Sequence, residues 1–500
     1  MCDTYDRFIR YIRELWDLRA IDKFLWWDQQ TYMPPEGSKD RSLQRATLAT
    51  VIHERLTSEP MARFIEELSR PSVQETMTDE QRANVREMAW EYSRAASVPP
   101  ELVRELARTC SRATGEWARA RERSDWSIFR PHVERIIELK MREAEAIGYE
   151  DRPYDALLDG YEPGMRSREV EALFSRLRKG LVTLLRRIVD SEIRPDTAIV
   201  TQRFPVEAQM RFNEMVIRAI GFDLDRGRLD VTTHPFTSGT LHDTRITTRY
   251  CEGDIRPALF ATIHEAGHAL YQQGTLEEHY GTPMGTTVSL GIHESQSRSW
   301  ENLVGRGIHF WRFFFPRLAE IFPSQMEGHT VEEMYAAVND VAPSLIRVEA
   351  DEVTYNLHIL LRFEIEMDLF GGKLDVGDAP DVWNEHMEEV LGLTVPDDAH
   401  GVLQDIHWSI GAFGYFPTYT LGNLYAAQFY RAAREEVPDM EEAFVRGDFG
   451  PFLEWSRRNI HRRGRLYRAP DLCRVVTGGP LDESVFLEYL ERKFGPLYGI

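Results

Sequence analysis

Most of the chain repeats apolar residues three or four positions apart, which is the spacing of an amphipathic α-helix. Val103 and Leu106 are three apart, and Ile137 and Met141 are four apart, in a stretch that is otherwise dense in Glu, Arg and Ala. Short segments rich in proline and glycine separate the helical stretches. The pattern predicts helices in four regions of the chain, namely 60–150, 166–194, 331–370 and 438–460.

Strand-like sequence clusters in one region near the middle of the chain. Residues 229–236 and 244–250 are rich in β-branched and aromatic side chains, and the turn-rich segment TSGTLHD lies between them. Such a pair predicts a small β-hairpin. The predicted fold class is therefore mostly α with one small sheet.

Length, charge and cysteine content limit the architecture and the possible partners. A chain of 500 residues exceeds what one hydrophobic core usually organises, so we expect two or more lobes. The 60 basic residues face 81 acidic ones, and this net charge of −21 argues against nucleic acids and anionic membrane surfaces as partners. No apolar run is long enough to predict a membrane span. The four cysteines form no C-x-x-C pair and the N-terminus lacks a signal-peptide pattern, so we expect a cytoplasmic protein with reduced thiols.

The segment HEAGH at 264–268 has the pattern H-E-x-x-H. On a helix, residues four apart share a face, so His264 and His268 can bind one metal ion. Asp254 precedes the motif at the distance expected of a helix cap, which supports the helical placement. Two imidazoles that hold Zn²⁺ leave a position for water, and Glu265 beside that water is suited to take its proton. The alternative is a pair of surface histidines on an acidic helix.

A third ligand is expected in GIHESQSR at 291–298, the next segment rich in ligand-type residues. Glu294 is the first choice, because two histidines and one glutamate with an open position are typical of hydrolytic zinc sites. His293 and Glu301 are rival ligands, and Glu301 is also a candidate partner for a ligating histidine. The metzincin pattern is excluded, because Gly274 stands where that class has its third histidine.

Five further short motifs accompany HEAGH in a fixed order along the chain. They are HPF (234–236), DTRIT (243–247), HESQ (293–296), IRVEAD (346–351) and GVLQDIHW (401–408). The stretches WDQQTYMPPEG (27–37) and YDALLDGYEPG (154–164) extend the match over nearly the whole length. On these motifs the sequence resembles the metallocarboxypeptidases related to thermostable carboxypeptidase Taq.

This resemblance implies a two-lobed helical fold with a deep active-site cleft, as in angiotensin-converting enzyme and neurolysin. One unit would comprise a helical N-terminal part with a cleft wall (about 1–225), a catalytic core (about 226–430) and C-terminal helices (about 431–500). The resemblance also implies removal of single residues from peptides with a free C-terminus, zinc or cobalt as the metal, and a homodimer. Arg298 is a departure from thermolysin-like sites, which have an acid four residues after the ligand glutamate.

Arg347 in the IRVEAD motif is the first candidate for binding the peptide's terminal carboxylate, since a guanidinium can do so with two parallel hydrogen bonds. The alternative is an ion pair with Asp351, four positions further along a predicted helix. Arg245 is the second candidate for the carboxylate. Its alternative role is to brace the predicted hairpin together with Asp243.

His234 and the predicted hairpin precede the metal-binding helix. An edge strand beside the metal could pair with an extended peptide through backbone hydrogen bonds. By resemblance to angiotensin-converting enzyme, His234 would contact the substrate backbone near the scissile bond. An ordinary turn histidine is the alternative.

The segment from His407 onward is aromatic and rich in glycine, and it is the candidate for stabilising negative charge on the scissile carbonyl oxygen. An imidazole or a phenol can donate a hydrogen bond to that charge. Tyr419 is the first choice for the phenol, because its spacing to Tyr425 resembles that of the corresponding tyrosine in relatives of angiotensin-converting enzyme. Tyr415 competes with it, and core packing is the alternative for both tyrosines.

Together these residues predict a metal-dependent carboxypeptidase. An endo-acting oligopeptidase on the same scaffold is one alternative. A catalytically inactive helical peptide-binding protein is another, and it is disfavoured because Glu265, which an inactive relative can readily lose, is present.

Overall fold

The computed structural model describes residues 2–500 and confirms a mostly helical fold with one small sheet. Among these residues, none of the helices has both the length and the apolar character needed to cross a membrane. The predicted division of the chain near residues 225 and 430 stays a prediction.

The described part of the chain before the sheet consists of helices joined by turns and irregular segments. Thr78 and Gln81 form a reciprocal capping box where one of its long helices begins, and Ser124 ends the next in a left-handed conformation. The helices are α1 (Cys2–Thr31), α2 (Ser38–Leu56), α3 (Glu59–Leu68), α4 (Pro71–Gln74), α5 (Asp79–Ser97), α6 (Pro100–Arg123), α7 (Trp126–Ile147), α8 (Pro153–Leu158), α9 (Ser167–Asp190) and α10 (Val206–Ala219). They confirm the helices predicted in 60–150 and 166–194.

The sheet has three strands, β1 (Gly227–Val231), β2 (Thr237–Thr240) and β3 (Asp243–Thr248), in the order β1-β3-β2. The predicted hairpin between 229–236 and 244–250 is wrong, because β1 pairs with β3 in parallel. The antiparallel partner of β3 is β2, a strand within the segment interpreted as a turn. Gly239 permits this close pairing, since it has a φ of +121° and a Cβ there would overlap the carbonyl of Asp243.

The described central part of the chain holds eight further α-helices, of which α11 carries the HEAGH motif and packs against β2 and β3, and α12 carries the HESQ motif. They are α11 (Arg256–Gln273), α12 (Leu290–Arg298), α13 (Ile308–Ile321), α14 (Pro323–Met326), α15 (Val331–Val338), α16 (Tyr355–Phe370), α17 (Ala379–Leu391) and α18 (Pro417–Glu436). A π-helical segment, Ser299–Gly305, continues directly from α12.

The region 331–370 is not continuously helical as predicted, because an irregular segment separates α15 from α16. Asp351 stabilises that segment by accepting hydrogen bonds from the backbone N–H groups of Ala342, Val353 and Thr354. Such side-chain to backbone bonds compete with helix formation. Arg347 therefore lies in a short 3₁₀ turn, Arg347–Glu349, and the alternative in which it pairs with Asp351 along a helix is wrong.

The chain ends with four helices that pack against the rest of the molecule. They are α19 (Met440–Val445), α20 (Gly450–Asn459), α21 (Ala469–Thr477) and α22 (Glu483–Tyr498). The main apolar core runs from Ala113 on α6 to Tyr498 on α22, so distant parts of the chain share it. A separate small core lies among the N-terminal helices, where Phe8 and Met61 are fully buried.

Lys493 links the last helix to the centre of the molecule through a buried ion pair. Its Nζ lies 2.5 Å from Glu352 Oε2 and donates to the carbonyl of Asn302 at 3.2 Å, on the π-helical segment. Burial lowers the pKa of Lys493, and Glu352 opposes that shift. The ion pair therefore holds α22 against the segment that precedes α16, and the hydrogen bond to Asn302 holds it against the π-helical segment after α12.

We expect Lys493→Met to destabilise the protein by about 3–5 kcal/mol, because it leaves the Glu352 carboxylate buried without its cation. The denaturation midpoint in urea measures the effect. Arg63→Met is the control, since the Arg63–Glu59 pair is 68% and 76% exposed and such pairs contribute little. Equal midpoints for the two variants would show that the buried pair does not anchor α22.

Candidate active site

Helix α11 places both histidines of the HEAGH motif on one face. The helix starts as predicted, with Asp254 Oδ1 accepting the backbone N–H of Arg256 at 2.8 Å and a proline in the first turn. The rings of His264 and His268 lie 4.8 Å apart, one turn from each other. The face that they share points toward α12.

Helix α12 passes between α11 and α18, and a glycine stands at each crossing. A Cβ on Gly267 would lie 2.6 Å from Ser297 Cα, and one on Gly422 would lie 2.5 Å from Glu294 Cγ. Both distances are shorter than van der Waals contact allows, so neither position has room for a side chain. This close packing brings Glu294 against the two histidines.

The side chains of His264, His268 and Glu294 converge on one point. Glu294 Oε2 lies 3.5 Å from His264 Nε2 and 3.4 Å from His268 Nε2. Bonds of about 2.0–2.1 Å in a tetrahedron place ligand atoms roughly 3.4 Å apart, so the arrangement fits one divalent cation. Over residues 2–500, these three side chains are the group of histidine, cysteine or acidic residues whose ligand atoms lie close enough together to hold one metal ion. The rival ligands His293 and Glu301 do not belong to this group.

Glu301 and the backbone of His293 instead contact Nδ1 of His264 and of His268, and so orient the two rings. His264 Nδ1 lies 2.9 Å from Glu301 Oε2, and His268 Nδ1 donates to the backbone carbonyl of His293 at 3.0 Å. With the proton on Nδ1, each Nε2 presents a free lone pair to a metal. The sequence identified Glu301 as a possible partner but not the carbonyl of His293.

Arg298 links the carboxylates of the site. Its Nε donates to Glu294 Oε1 at 2.7 Å and its Nη1 to Glu301 Oε2 at 3.0 Å. Burial would raise the pKa of Glu301, but Arg298 and His264 lower it to about 2. The residue that departs from thermolysin-like sites therefore keeps both acids ionised and leaves Glu294 Oε2 facing the imidazoles.

Glu265 is buried beside this group and is held by the edge strand β2. The hydroxyl of Thr237 lies 2.6 Å from Glu265 Oε2 and 2.9 Å from its carbonyl oxygen. Further along β2, the carbonyl of Gly239 accepts hydrogen bonds from Gln272 at 3.0 Å and from Lys23 at 3.4 Å. Side chains therefore already occupy part of the free edge.

His234 and Arg245, both near the sheet, differ in their exposure and contacts. His234 is solvent-exposed just before β2, and within the described chain its ring forms no hydrogen bond. Arg245 pairs with Asp243 at 2.7 Å and stacks over the ring of Trp27 at 4.0 Å. These contacts of Arg245 are those of the bracing alternative.

Arg347 pairs with Asp405, a partner that the sequence did not reveal. Its Nη2 lies 2.7 Å from Asp405 Oδ1, while Arg362 Nη2 lies 2.6 Å from Oδ2 of the same carboxylate. Nη1 of Arg347 donates to the hydroxyl of Tyr355 at 3.0 Å. Two guanidinium groups thus share one carboxylate, and this cluster carries one positive charge that no acid within it balances.

His407 and Tyr419 lie next to this cluster and contact each other. His407 Nε2 lies 3.1 Å from the hydroxyl of Tyr419, whose ring is 5.1 Å from the Arg347 guanidinium. Burial lowers the pKa of His407 to about 4, although Asp405 opposes the shift, so its imidazole is neutral at pH 7. Burial also raises the pKa of Tyr415 to about 12, so this neighbouring phenol keeps its proton.

Several residues of the site carry no local signal in the sequence. Thr237 and Arg362 become recognisable only through partners on other elements, and the sequence noted Arg298 only as a departure from thermolysin-like sites. Asp405 lies within the GVLQDIHW motif, which marked it as notable without naming its partner.

Comparison with known proteins covers the whole chain. A family model described as Carboxypeptidase Taq (M32) metallopeptidase matches residues 7–494. Thermostable carboxypeptidase 1 of Thermus thermophilus is 48% identical over 99% of both chains, and carboxypeptidase 1 of Bacillus subtilis is 37% identical over 99% of both. The crystal structure of an M32 carboxypeptidase from Deinococcus radiodurans matches with a TM-score of 0.97 at 40% identity, covering 100% of both chains.

We expect Gly422→Ala to weaken metal binding by about ten- to a hundredfold, because the added methyl group displaces Glu294. Competition with a coloured chelator measures the affinity. Gly115→Ala is the matched control, since that helical glycine has nothing within 4 Å of a Cβ and the change favours the helix. Equal metal affinity in both variants and the unchanged protein would show that close packing at Gly422 does not position Glu294.

Proposed function

Because this chain belongs to the carboxypeptidase Taq (M32) family of metallopeptidases and is a metal-dependent carboxypeptidase, we propose that His264, His268 and Glu294 hold its metal ion. The observation that carries the proposal is the convergence of Nε2, Nε2 and Oε2 within 4.8 Å. We propose zinc as the ion, with cobalt as the alternative, since two imidazoles and one carboxylate suit either. When bound, the ion lowers the pKa of a water molecule and polarises the scissile carbonyl.

Glu265 is the proposed general base and acid. Its carboxylate takes a proton from the attacking water and then delivers that proton to the nitrogen of the leaving amino acid. The hydroxyl of Thr237 at 2.6 Å fixes the orientation of the carboxylate for both transfers. Turnover therefore returns Glu265 to its ionised state.

Arg347 is the proposed binding site for the terminal carboxylate of the peptide. It is only 6% exposed, and with Arg362 it surrounds the single acid Asp405. A bound carboxylate would balance the positive charge that remains, and a charge-assisted hydrogen bond to a guanidinium is favourable in a buried site. Arg245, already paired and stacked, we assign to bracing β3 against α1.

Tyr419 and His407 are the proposed stabilisers of the negative charge that develops on the scissile carbonyl oxygen. Burial raises the pKa of Tyr419, so its hydroxyl remains a donor. Tyr415, whose ring centre lies 5.3 Å from that of Tyr419, lines the same side. On the opposite side, exposed His234 and the start of β2 are positioned to contact the peptide backbone.

The proposed substrates are peptides with a free C-terminus, and the acidic surface makes nucleic acids and membranes poor partners. A cytoplasmic location is proposed from the free thiols of Cys110, Cys251 and Cys473. A homodimer is proposed from the family resemblance, and sedimentation equilibrium at several protein concentrations tests it.

We expect Glu265→Gln to lower kcat by about a hundredfold to ten-thousandfold, because the amide cannot take the proton. One metal ion per chain remains, since Glu265 is not a proposed ligand. Stopped peptide digests and metal analysis by mass spectrometry measure the two quantities. Glu278→Gln, an exposed position, is the control. Unchanged turnover in the Glu265 variant would remove this residue from the mechanism.

We expect Arg347→Met to lower kcat/KM for free-acid peptides by about ten- to a hundredfold, because the carboxylate loses a charged hydrogen-bond donor. The same peptides with an amidated C-terminus should be poor substrates for the unchanged enzyme and be little affected by the substitution. The measurement is the ratio of kcat/KM for the free-acid peptide to kcat/KM for the amidated peptide. This ratio does not depend on how much of the enzyme is folded. Arg245→Met should leave the ratio unchanged. A ratio that Arg347→Met also leaves unchanged would place carboxylate binding elsewhere.

A further inference from the structure

Helix α16 contains a buried acid that the proposed mechanism does not use. Glu366 is 0% exposed, and its carboxylate accepts three hydrogen bonds. They come from the hydroxyl of Tyr154 at 2.7 Å, from Trp408 Nε1 at 2.9 Å and from the backbone N–H of Gly414 at 3.1 Å. Among residues 2–500, no lysine, arginine or histidine forms an ion pair with it.

Two of these donors, Trp408 and Gly414, lie near the two ends of the segment 407–415. Trp408 directly follows His407, and Gly414 directly precedes Tyr415, so Glu366 holds the segment near both of its ends. Gly414 has a φ of +88°, and a Cβ there would lie 2.8 Å from the backbone nitrogen of Leu158. The segment therefore packs directly against the end of α8, the helix that also carries Tyr154.

Helix α16 fixes the start of the same segment through a second residue. Arg362, one turn before Glu366, donates its Nε to Asp405 Oδ2 at 2.7 Å. Residues four apart share a helix face, so this single face of α16 binds Asp405 and Trp408, the residues that flank His407 at short distance. The position of the His407 ring relative to Tyr419 follows from these anchors.

We propose that Glu366 is a positioning residue for hydrolysis, which sets the placement of His407 and Tyr415 beside Tyr419 by holding Trp408 and Gly414. This inference rests on the proposed roles of His407 and Tyr419. Glu366 itself does not touch the substrate.

The chemistry of the three donors explains why a carboxylate occupies this position. Two carboxylate oxygens are acceptors only, so an O–H and two N–H groups can all point at them. Burial raises the pKa of Glu366 to about 7, and the hydrogen bonds from Tyr154, Gly414 and Trp408 oppose that shift because they favour the ionised carboxylate. A glutamine at the same position would turn an N–H group toward one of the three donors and push that donor away.

The test is Glu366→Gln in the full-length, metal-loaded enzyme. We expect kcat and kcat/KM to fall together by about tenfold or more, with KM and metal content unchanged, because the affected groups act mainly on the transition state. Glu483→Gln is the control, since that buried acid pairs with Arg176 at a distance from the segment. The control should keep its kcat even if its melting temperature falls.

A rescue separates positioning from loss of stability. Trp408→Phe removes the N–H that faces the new amide but also the anchor at Trp408, so Glu366→Gln combined with Trp408→Phe should regain part of the lost kcat, because the carbonyl of the new amide can still hold Gly414. Tyr154→Phe, which keeps the aromatic ring, should lower kcat severalfold at constant KM, and it serves as the test if Glu366→Gln does not fold. An unchanged kcat in Glu366→Gln, or in Tyr154→Phe where that variant is the test, would overturn the proposal. A fall in kcat that follows only the melting temperature, with no rescue, would overturn it as well.

Substitutions of His407 and Tyr419 distinguish a wrong positioning role for Glu366 from a wrong mechanism. If Tyr419→Phe and His407→Ala lower kcat while Glu366→Gln does not, the positioning role alone is wrong. If Tyr419→Phe and His407→Ala leave kcat unchanged, the proposed stabilisation of the carbonyl oxygen is wrong, and the positioning role is overturned with it.

Discussion

The close approach of α12 to its two neighbours is the constraint on which the site depends. Metal ligands must lie within a few tenths of an ångström of their required separation, so Glu294 has little freedom. Gly267 lets α12 lie directly on α11, and Gly422 lets α18 press Glu294 from the other side. The helices thus place Glu294, the proposed ligand, by backbone packing.

Buried charged side chains form two clusters, which differ in their numbers of acids and arginines. Around the proposed ligands, Glu294 and Glu301 share Arg298, and Arg306 lies 3.6 Å from Glu301, so two arginines face two acids before a divalent cation is added. Around Asp405, two arginines share one acid and leave a positive charge. A peptide that presents its carbonyl to the first cluster and its terminal carboxylate to the second would complement both.

The surrounding elements act as supports for particular groups. The edge strand β2 orients Glu265 through Thr237, and the backbone at His293 orients His268. Helix α16 holds the segment that contains His407 through one face. Each of these side chains is therefore held by an element other than the one that carries it, which limits its motion.

Features that depend on the spacing of nearby residues could be predicted from the sequence. The helical period, the cap at Asp254 and the shared face of His264 and His268 all follow from residues within a few turns of one another. The tertiary structure alone decided the partner of Arg347, because Asp405 lies on a distant segment and periodicity carries no information about it. It also decided the parallel pairing of β1 with β3, since β2 takes the antiparallel position on the other side of β3.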